Sequence, residues 1–262
     1  AMHKEMGGKM KIFKPIVFAT IFSLLSLSIS AQSLKGMIYV SNQMEEFDQT
    51  KIVREYVIGE TAYCAFLVQG FSTDANRAVN LAADIKFIDP HGKTLFEEKN
   101  YAKSTISVVQ DQKIITLDSS FDISFEQSDP LGMYTLEALI KDNIDGTQNT
   151  VKTTLLLFDS EKSKNIIMSP IRDAKHLDEL WAEYLRSKNP WAIKRIISAL
   201  RLRKESPHFE DALIAEAAKW SLEANAKEHP EVLSICKQSL EYTKGVTKKL
   251  LQEIINNVEN KN

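Results

Sequence analysis

Apolar residues along this chain follow two periods, and the change falls near residue 160. Upstream the period is two. Leu81, Ala83, Ile85 and Phe87 alternate with polar or small residues, which predicts a strand with one face in a core. Asp89-Pro90-His91-Gly92 then makes a turn, and 94–99 resumes as the second arm of a hairpin. Tyr134, Leu136, Ala138 and Ile140 alternate again before the turn segment Asp142-Asn143-Ile144-Asp145-Gly146, and 150–158 returns as a strand rich in β-branched and apolar residues. Further strands are expected at 37–41, 62–69, 107–109, 113–117 and 121–125. About eight short strands without long crossover helices predict an antiparallel β-sandwich of immunoglobulin-like type over residues 34–159.

Downstream the period becomes that of a helix. Leu177, Leu180, Trp181, Tyr184 and Leu185 share one helical face. Asn189-Pro190 interrupts, with the proline suited to a first helical position. Ile193, Ile196, Ile197 and Leu200 mark a second helix, and Leu213, Ala217, Trp220 and Ala224 a third. His229-Pro230 opens a fourth with Val232, Ile235, Cys236 and Leu240. Gly245 separates it from a fifth with Leu250, Leu251, Ile254, Ile255 and Val258. Short connections imply antiparallel neighbours. The expected organisation is α+β and multidomain: the sandwich, a linker at 160–170 containing Lys162 and Lys164, and an all-α bundle of about five helices at 171–262.

The first 31 residues have the composition of a secretory signal peptide. Lys9, Lys11 and Lys14 precede an apolar run containing Val17, Phe18, Ile21, Phe22, Leu24 and Leu25, and small residues follow, with cleavage expected near Ser30-Ala31. The run falls short of the ~20 apolar residues that span a bilayer. No second long apolar segment occurs, so no transmembrane segment is expected in the mature chain, which is read as exported, periplasmic or secreted.

The whole chain carries 33 Lys+Arg and 35 Asp+Glu. Removing the leader, with four Lys and one Glu, leaves 29 basic and 34 acidic residues, a net charge of −5. That balance disfavours non-specific nucleic-acid binding, which needs clustered positive charge. Two cysteines, Cys64 and Cys236, are too few for a disulfide-stapled scaffold. Two separately buried thiols are expected rather than a bridge.

The segment Asp129-Pro130-Leu131-Gly132-Met133-Tyr134-Thr135, with Ile140-Lys141-Asp142 after it, resembles the penultimate strand of an immunoglobulin-like domain in exported bacterial proteins of unknown function. Ile58-Gly59-Glu60 and Ile88-Asp89-Pro90-His91-Gly92 fit the same pattern. Leu177-Asp178-Glu179-Leu180-Trp181, Lys194-Arg195-Ile196-Ile197 and Trp220-Ser221-Leu222-Glu223-Ala224-Asn225-Ala226 with His229-Pro230 resemble a helical module of uncharacterised bacterial proteins. The resemblance implies fold and compartment, and brings no catalytic residue with it.

Chemistry-bearing motifs are scarce. No two histidines sit at i, i+4 as in H-E-x-x-H, and G-x-S-x-G is absent. A metal site across helices would have to draw on His176, His208 and His229, against the simpler reading of cap and surface histidines. Asp142 to Gly146 lacks the leading acid of a calcium loop, since position 141 is Lys141, and reads as a hairpin turn. Glu97-Glu98 are neighbours on a strand, so their side chains point to opposite faces. No catalytic residue and no cofactor are expected. Lys194, Arg195, Arg201, Arg203 and Lys204 make the second helix and its end basic. That is either a solvated face or a docking surface for an acidic partner or anionic headgroups. Trp181 and Trp220 are expected in the core, and Trp191, beside Pro190, as an exposed aromatic contact or a helix-start staple. The leading functional expectation is a non-enzymatic module that binds another envelope or secreted protein, with Trp191, Lys194, Arg195 and Arg201 as binding residues. The alternatives are an envelope hydrolase with a site between the domains, and a peripheral membrane protein.

Overall fold

The computed structural model of the chain describes residues 33–43, 52–109, 111–202 and 209–260. Nine strands are followed by six helices among these residues. The strands are β1 (Lys35–Ser41), β2 (Glu55–Val57), β3 (Thr61–Gln69), β4 (Leu81–Ile88), β5 (Thr94–Ser104), β6 (Ile114–Thr116), β7 (Phe121–Ser124), β8 (Gly132–Asp142) and β9 (Gln148–Phe158). The helices are α1 (Glu161–Met168), α2 (Ala174–Ser187), α3 (Pro190–Ala199), α4 (Phe209–Glu228), α5 (Pro230–Ser239) and α6 (Gly245–Glu259).

Two sheets share one apolar core. In the first, β3 pairs with β1 along one edge, while the short β6 and β7 divide its other edge. The second runs β2-β9-β8-β4-β5. Ile38, Phe66, Val68 and Phe121 from the first meet Ile85, Phe87, Leu136 and Ile140 from the second. The period-two pattern causes this. On β8 every second residue, Tyr134 to Ile140, is buried, while its neighbours are half-buried. Antiparallel pairing was expected throughout, but β2 runs parallel to β9. This three-residue strand is too short to give a periodic signal. The segment expected as a strand at 107–109 makes an isolated Ala78–Ser107 bridge instead, and Val109 points to solvent. β5 continues five residues beyond the expected 99 to Ser104, through Asn100 at φ 52°, whose N–H donates to Asp84. β5 is an edge strand, and its row of Glu97, Glu98, Lys99 and Lys103 is of the kind that discourages another strand from pairing there.

The last turn of β9 breaks the alternation. Leu155 and Leu157 enter the sandwich core. Leu156 and Phe158 point the other way, into a second core built with Ile167, Leu177, Leu180, Trp181, Ile193 and Ile196. A strand covered on both faces reads as a continuous apolar run, and Leu155-Leu156-Leu157-Phe158 is one. Half-buried Val57 and Met133 of β2 and β8 also pack against this second core. The segment expected as a linker contains α1, so the helices begin directly at the sheet. Ser160 caps α1 by accepting from the Ser163 N–H at 3.2 Å.

α4 differs from expectation in which face it buries. Leu213, Ala217, Trp220 and Ala224 were expected to mark its core side. The core takes Ile214, Ala218, Leu222 and Ala226, with Ala217 half-buried against it, while Leu213 is 54% and Trp220 73% exposed. The helix carries apolar residues on two opposite sides, and periodicity alone does not choose between them. Packing selected the side with the branched Ile214 and Leu222.

Candidate functional site

The helices are fixed to the sandwich by polar contacts around β9. Asn189 is fully buried. Its amide donates to the Leu157 carbonyl at 3.2 Å, and its Oδ1 accepts from the Trp191 N–H at 3.0 Å. The N-cap of α3 is therefore also a bond to the sheet. Gly132, paired with Leu157, sits under the same helix start at φ +127°. A Cβ there would lie 3.2 Å from Pro90 and 3.4 Å from Pro190. On the other side of β9, Arg186 of α2 holds Asp159 through two bonds, at 2.5 and 3.1 Å, and Glu183 at 2.6 Å. Glu183 is buried, and it also accepts from the Ser163 hydroxyl at 2.6 Å. The Arg186 guanidinium holds the Asp159 carboxyl below its ordinary range, and the two acids raise Arg186 in return. This network ties β9, α1 and α2, and all its members are matched. It fits a structural joint. The sequence offered Glu183 and Arg186 at i, i+3; nothing in it pointed to Asp159, which is 27 residues from Arg186.

His176 lies in an open hollow of about 440 Å³ between α1 and the start of α2, with Asn165, Ser169, Arg172, Asp173 and Glu179 around it. Its Nε2 is 2.8 Å from the Ile166 carbonyl and its Nδ1 3.2 Å from the Pro170 carbonyl. Both ring nitrogens thus face backbone carbonyl oxygens. His229 is the N-cap position of α5, with Nδ1 3.9 Å from Glu231. His208 lies outside the described residues. Among those described, no group of three His, Cys, Asp or Glu side chains is placed to hold a metal ion. The Asp142–Gly146 segment is a turn whose two acids are already engaged: buried Asp142 accepts from the Ser72 N–H at 2.6 Å and the Ile144 N–H at 2.9 Å, and Asp145 accepts from the Ser72 hydroxyl at 2.6 Å and the Thr147 N–H at 2.8 Å. Cys64 and Cys236 are buried in different cores. Burial pushes both thiols up, Cys236 to about 12, which leaves them protonated and unreactive near neutrality.

The cations expected to bind a partner do gather on α3 and its end. Lys194 stands 5.3 Å from the centre of the Trp191 ring. Arg195 donates from Nη2 to the Ser169 carbonyl at the end of α1, at 2.7 Å, and its Nε is buried without a partner. Burial lowers Lys194, and burial together with the nearby Arg201 lowers Arg195. Among the described residues no carboxylate pairs with Lys194, Arg195 or Arg201. Arg203 and Lys204 lie outside the described residues. Trp191 was expected either as an exposed contact or as a helix-start staple, and it is not the exposed contact. It is half-buried against the helical core with its indole N–H sequestered, and it serves as a platform under Lys194. Among the described residues the exposed aromatics are Trp220 and Tyr242.

No protein-family model and no curated protein matches the chain. Solved structures share part of its shape. A family 123 glycoside hydrolase from Clostridium perfringens is 11% identical over 49% of this chain and 28% of its own, with a TM-score of 0.31. The chain thus spans under a third of that enzyme. A CARDB domain from Pyrococcus furiosus, solved with two metal ions, is 11% identical over 50% of this chain and 95% of its own, with a TM-score of 0.29. The major subunit of Myf fimbriae from Yersinia enterocolitica is 7% identical over 46% of this chain and 98% of its own, with a TM-score of 0.26. At such low scores and identities these likenesses carry no activity across to this chain.

Proposed function

We propose that the chain is an exported, non-enzymatic module in which an immunoglobulin-like sandwich carries helices that bind an acidic patch on another envelope or secreted protein. The observation that carries this reading is the set of Lys194, Arg195 and Arg201 without a carboxylate among the described residues. A cation drawn partly out of water costs free energy unless an anion faces it. Lys194 and Arg195 bear that cost, visible as their lowered ionisation. An acidic partner offsets it, and the same charges speed encounter. The basic leader followed by an apolar run supports export. The two-sheet core supports the sandwich, as does the Tyr134 hydroxyl, which donates to the Pro130 carbonyl at 2.7 Å at the corner into the penultimate strand.

The test is fractionation of a gentle envelope extract from cells producing the protein. The wild type should migrate with a larger assembly at low salt and be released at about 1 M salt, where screening acts beyond ~3 Å. Lys194→Gln with Arg201→Gln should run free at low salt. Co-migration that ignores both salt and the substitutions contradicts the proposal.

A further inference from the structure

The C-terminal end of α1 is closed by side chains from the two helices that follow it. The last carbonyls of a helix have no partner within it, and α1 carries no basic residue in its final turn. Its Asn165 carbonyl accepts from the Ser169 N–H at 3.1 Å and from the Ser169 hydroxyl at 2.6 Å. The next carbonyl, of Ile166, lies 2.8 Å from Nε2 of His176 on α2. The Ser169 carbonyl accepts from Arg195 of α3 at 2.7 Å, and the Pro170 carbonyl lies 3.2 Å from Nδ1 of His176. One imidazole therefore spans both ends of the stretch 166–170, along which the chain leaves α1 for α2.

A carbonyl oxygen can only accept. A neutral imidazole has a single N–H, so it bonds one of the two carbonyls and turns a lone pair toward the other. An imidazolium has two N–H groups and bonds both. The Ile166 contact is shorter and half-buried, while the Pro170 contact is exposed, so the neutral ring keeps the first and gives up the second. The charges around the ring are of both signs. Asp173, whose carboxylate accepts from the His176 backbone N–H at 2.9 Å, and Glu179 favour a charged ring. Arg172 and Lys175 in the same hollow oppose it, as does Arg195 from α3. Among the described residues α1 brings no charged side chain to the hollow. The C-terminal end of α1 favours a cation and the first turn of α2 opposes one. With these effects set against each other, the second hydrogen bond is what separates the two forms of the ring.

We propose that His176 is a proton-operated clasp between α1 and α2: protonation closes the second of its two bonds and fastens the connection between the helices, and loss of the proton releases it at Pro170. A bond made only by the charged ring adds stability that is fully present below the ordinary histidine value of about 6.5 and is lost as the ring gives up its proton at higher pH. The clasp is separate from the binding of an acidic partner on α3, and either can fail without the other.

Two measurements on the full chain test it, at about pH 5 and about pH 8, either side of the range in which histidine changes charge. In long-range proton–nitrogen spectra the His176 ring of the wild type should show both nitrogens protonated at the lower pH and Nε2 alone at the higher. Urea midpoints are then compared between the wild type and His176→Gln, which can donate one bond but cannot titrate. The advantage of the wild type should be larger at the lower pH and shrink at the higher. Hydrogen exchange over residues 166–173 should be slowed in the wild type relative to His176→Gln by a larger factor at the lower pH. His91→Gln, an exposed histidine of the β4–β5 turn, should leave both pH dependences unchanged. The spectra need no variant, so they decide the matter even if His176→Gln folds poorly. A ring with one protonated nitrogen at the lower pH, or with two at the higher, would overturn the proposal. So would a stability advantage that is equal at the two pH values or grows with pH.

Discussion

Tyr134 is 1% exposed, yet its hydroxyl has a partner in the Pro130 carbonyl. Burial pushes its ionisation well above the ordinary range for tyrosine. Removing the oxygen leaves the packing against Phe87 and Phe125 in place and deprives a turn carbonyl of its donor. Tyr134→Phe should therefore cost about 1 kcal/mol, read as a lower urea midpoint with an unchanged slope. Glu183 is a harsher case, because it is buried and charged. Arg186→Ala strands it. Breaking a fully buried pair costs about 3–5 kcal/mol. Arg186 is 53% exposed, and solvent screening reduces the expected loss to about 2 kcal/mol. The pair Arg186→Ala, Glu183→Gln should recover part of that loss, which a double-mutant cycle in urea would measure. Gly132→Ala places a β-carbon between two prolines at φ +127°, where L-residues are strained. It should destabilise by more than about 1 kcal/mol and loosen the seat of α3.

At the level of elements, β8 and α3 were readable from the sequence because their fully buried residues keep one period, every second residue along β8 and one helical face along α3. Their patterns of two and of 3.6 residues translate directly into buried positions. β9 was legible as a strand, but its doubly covered end was read simply as apolar. The run Leu155-Leu156-Leu157-Phe158 carried the information that something packs on its outer side. α1 was hidden because its eight residues contain few apolar side chains, and its cap at Ser160 is the signal that could have found it. α4 was found as a helix and assigned the wrong inner face, since both of its sides are apolar. β2 could not be seen: three residues set no period, and its pairing with β9 is about a hundred residues away. The cations of the candidate site were legible as charge on α3. That no carboxylate among the described residues pairs with them, and that Trp220 is exposed, depend on tertiary packing.

The whole molecule is held together at β9, where sheet and helices share buried residues and the Asp159–Arg186–Glu183–Ser163 network closes the joint. This gives stability a specific acid dependence. The folded Asp159 carboxyl titrates below its unfolded value of about 3.9. Its contribution is then complete above that value and is lost as pH falls through the folded one. Urea midpoints of the wild type should fall more steeply below about pH 4 than those of Asp159→Asn, which lacks this group. Equal slopes would remove Asp159 from the account. With the joint formed, α3 is fixed to the sheet through Asn189 and presents Lys194, Arg195 and Arg201 from a rigid base.

Whether those cations meet an acidic protein is the central claim. It is tested most directly by a photo-crosslinking residue at Ser198, which lies on α3 between Lys194 and Arg201, with a control at Leu95 on the β5 edge, in intact cells. The account predicts a discrete protein adduct from position 198, absent from position 95 and lost when Lys194 and Arg201 are neutralised. Lipid adducts alone from position 198, or the same adducts from both positions, would contradict it.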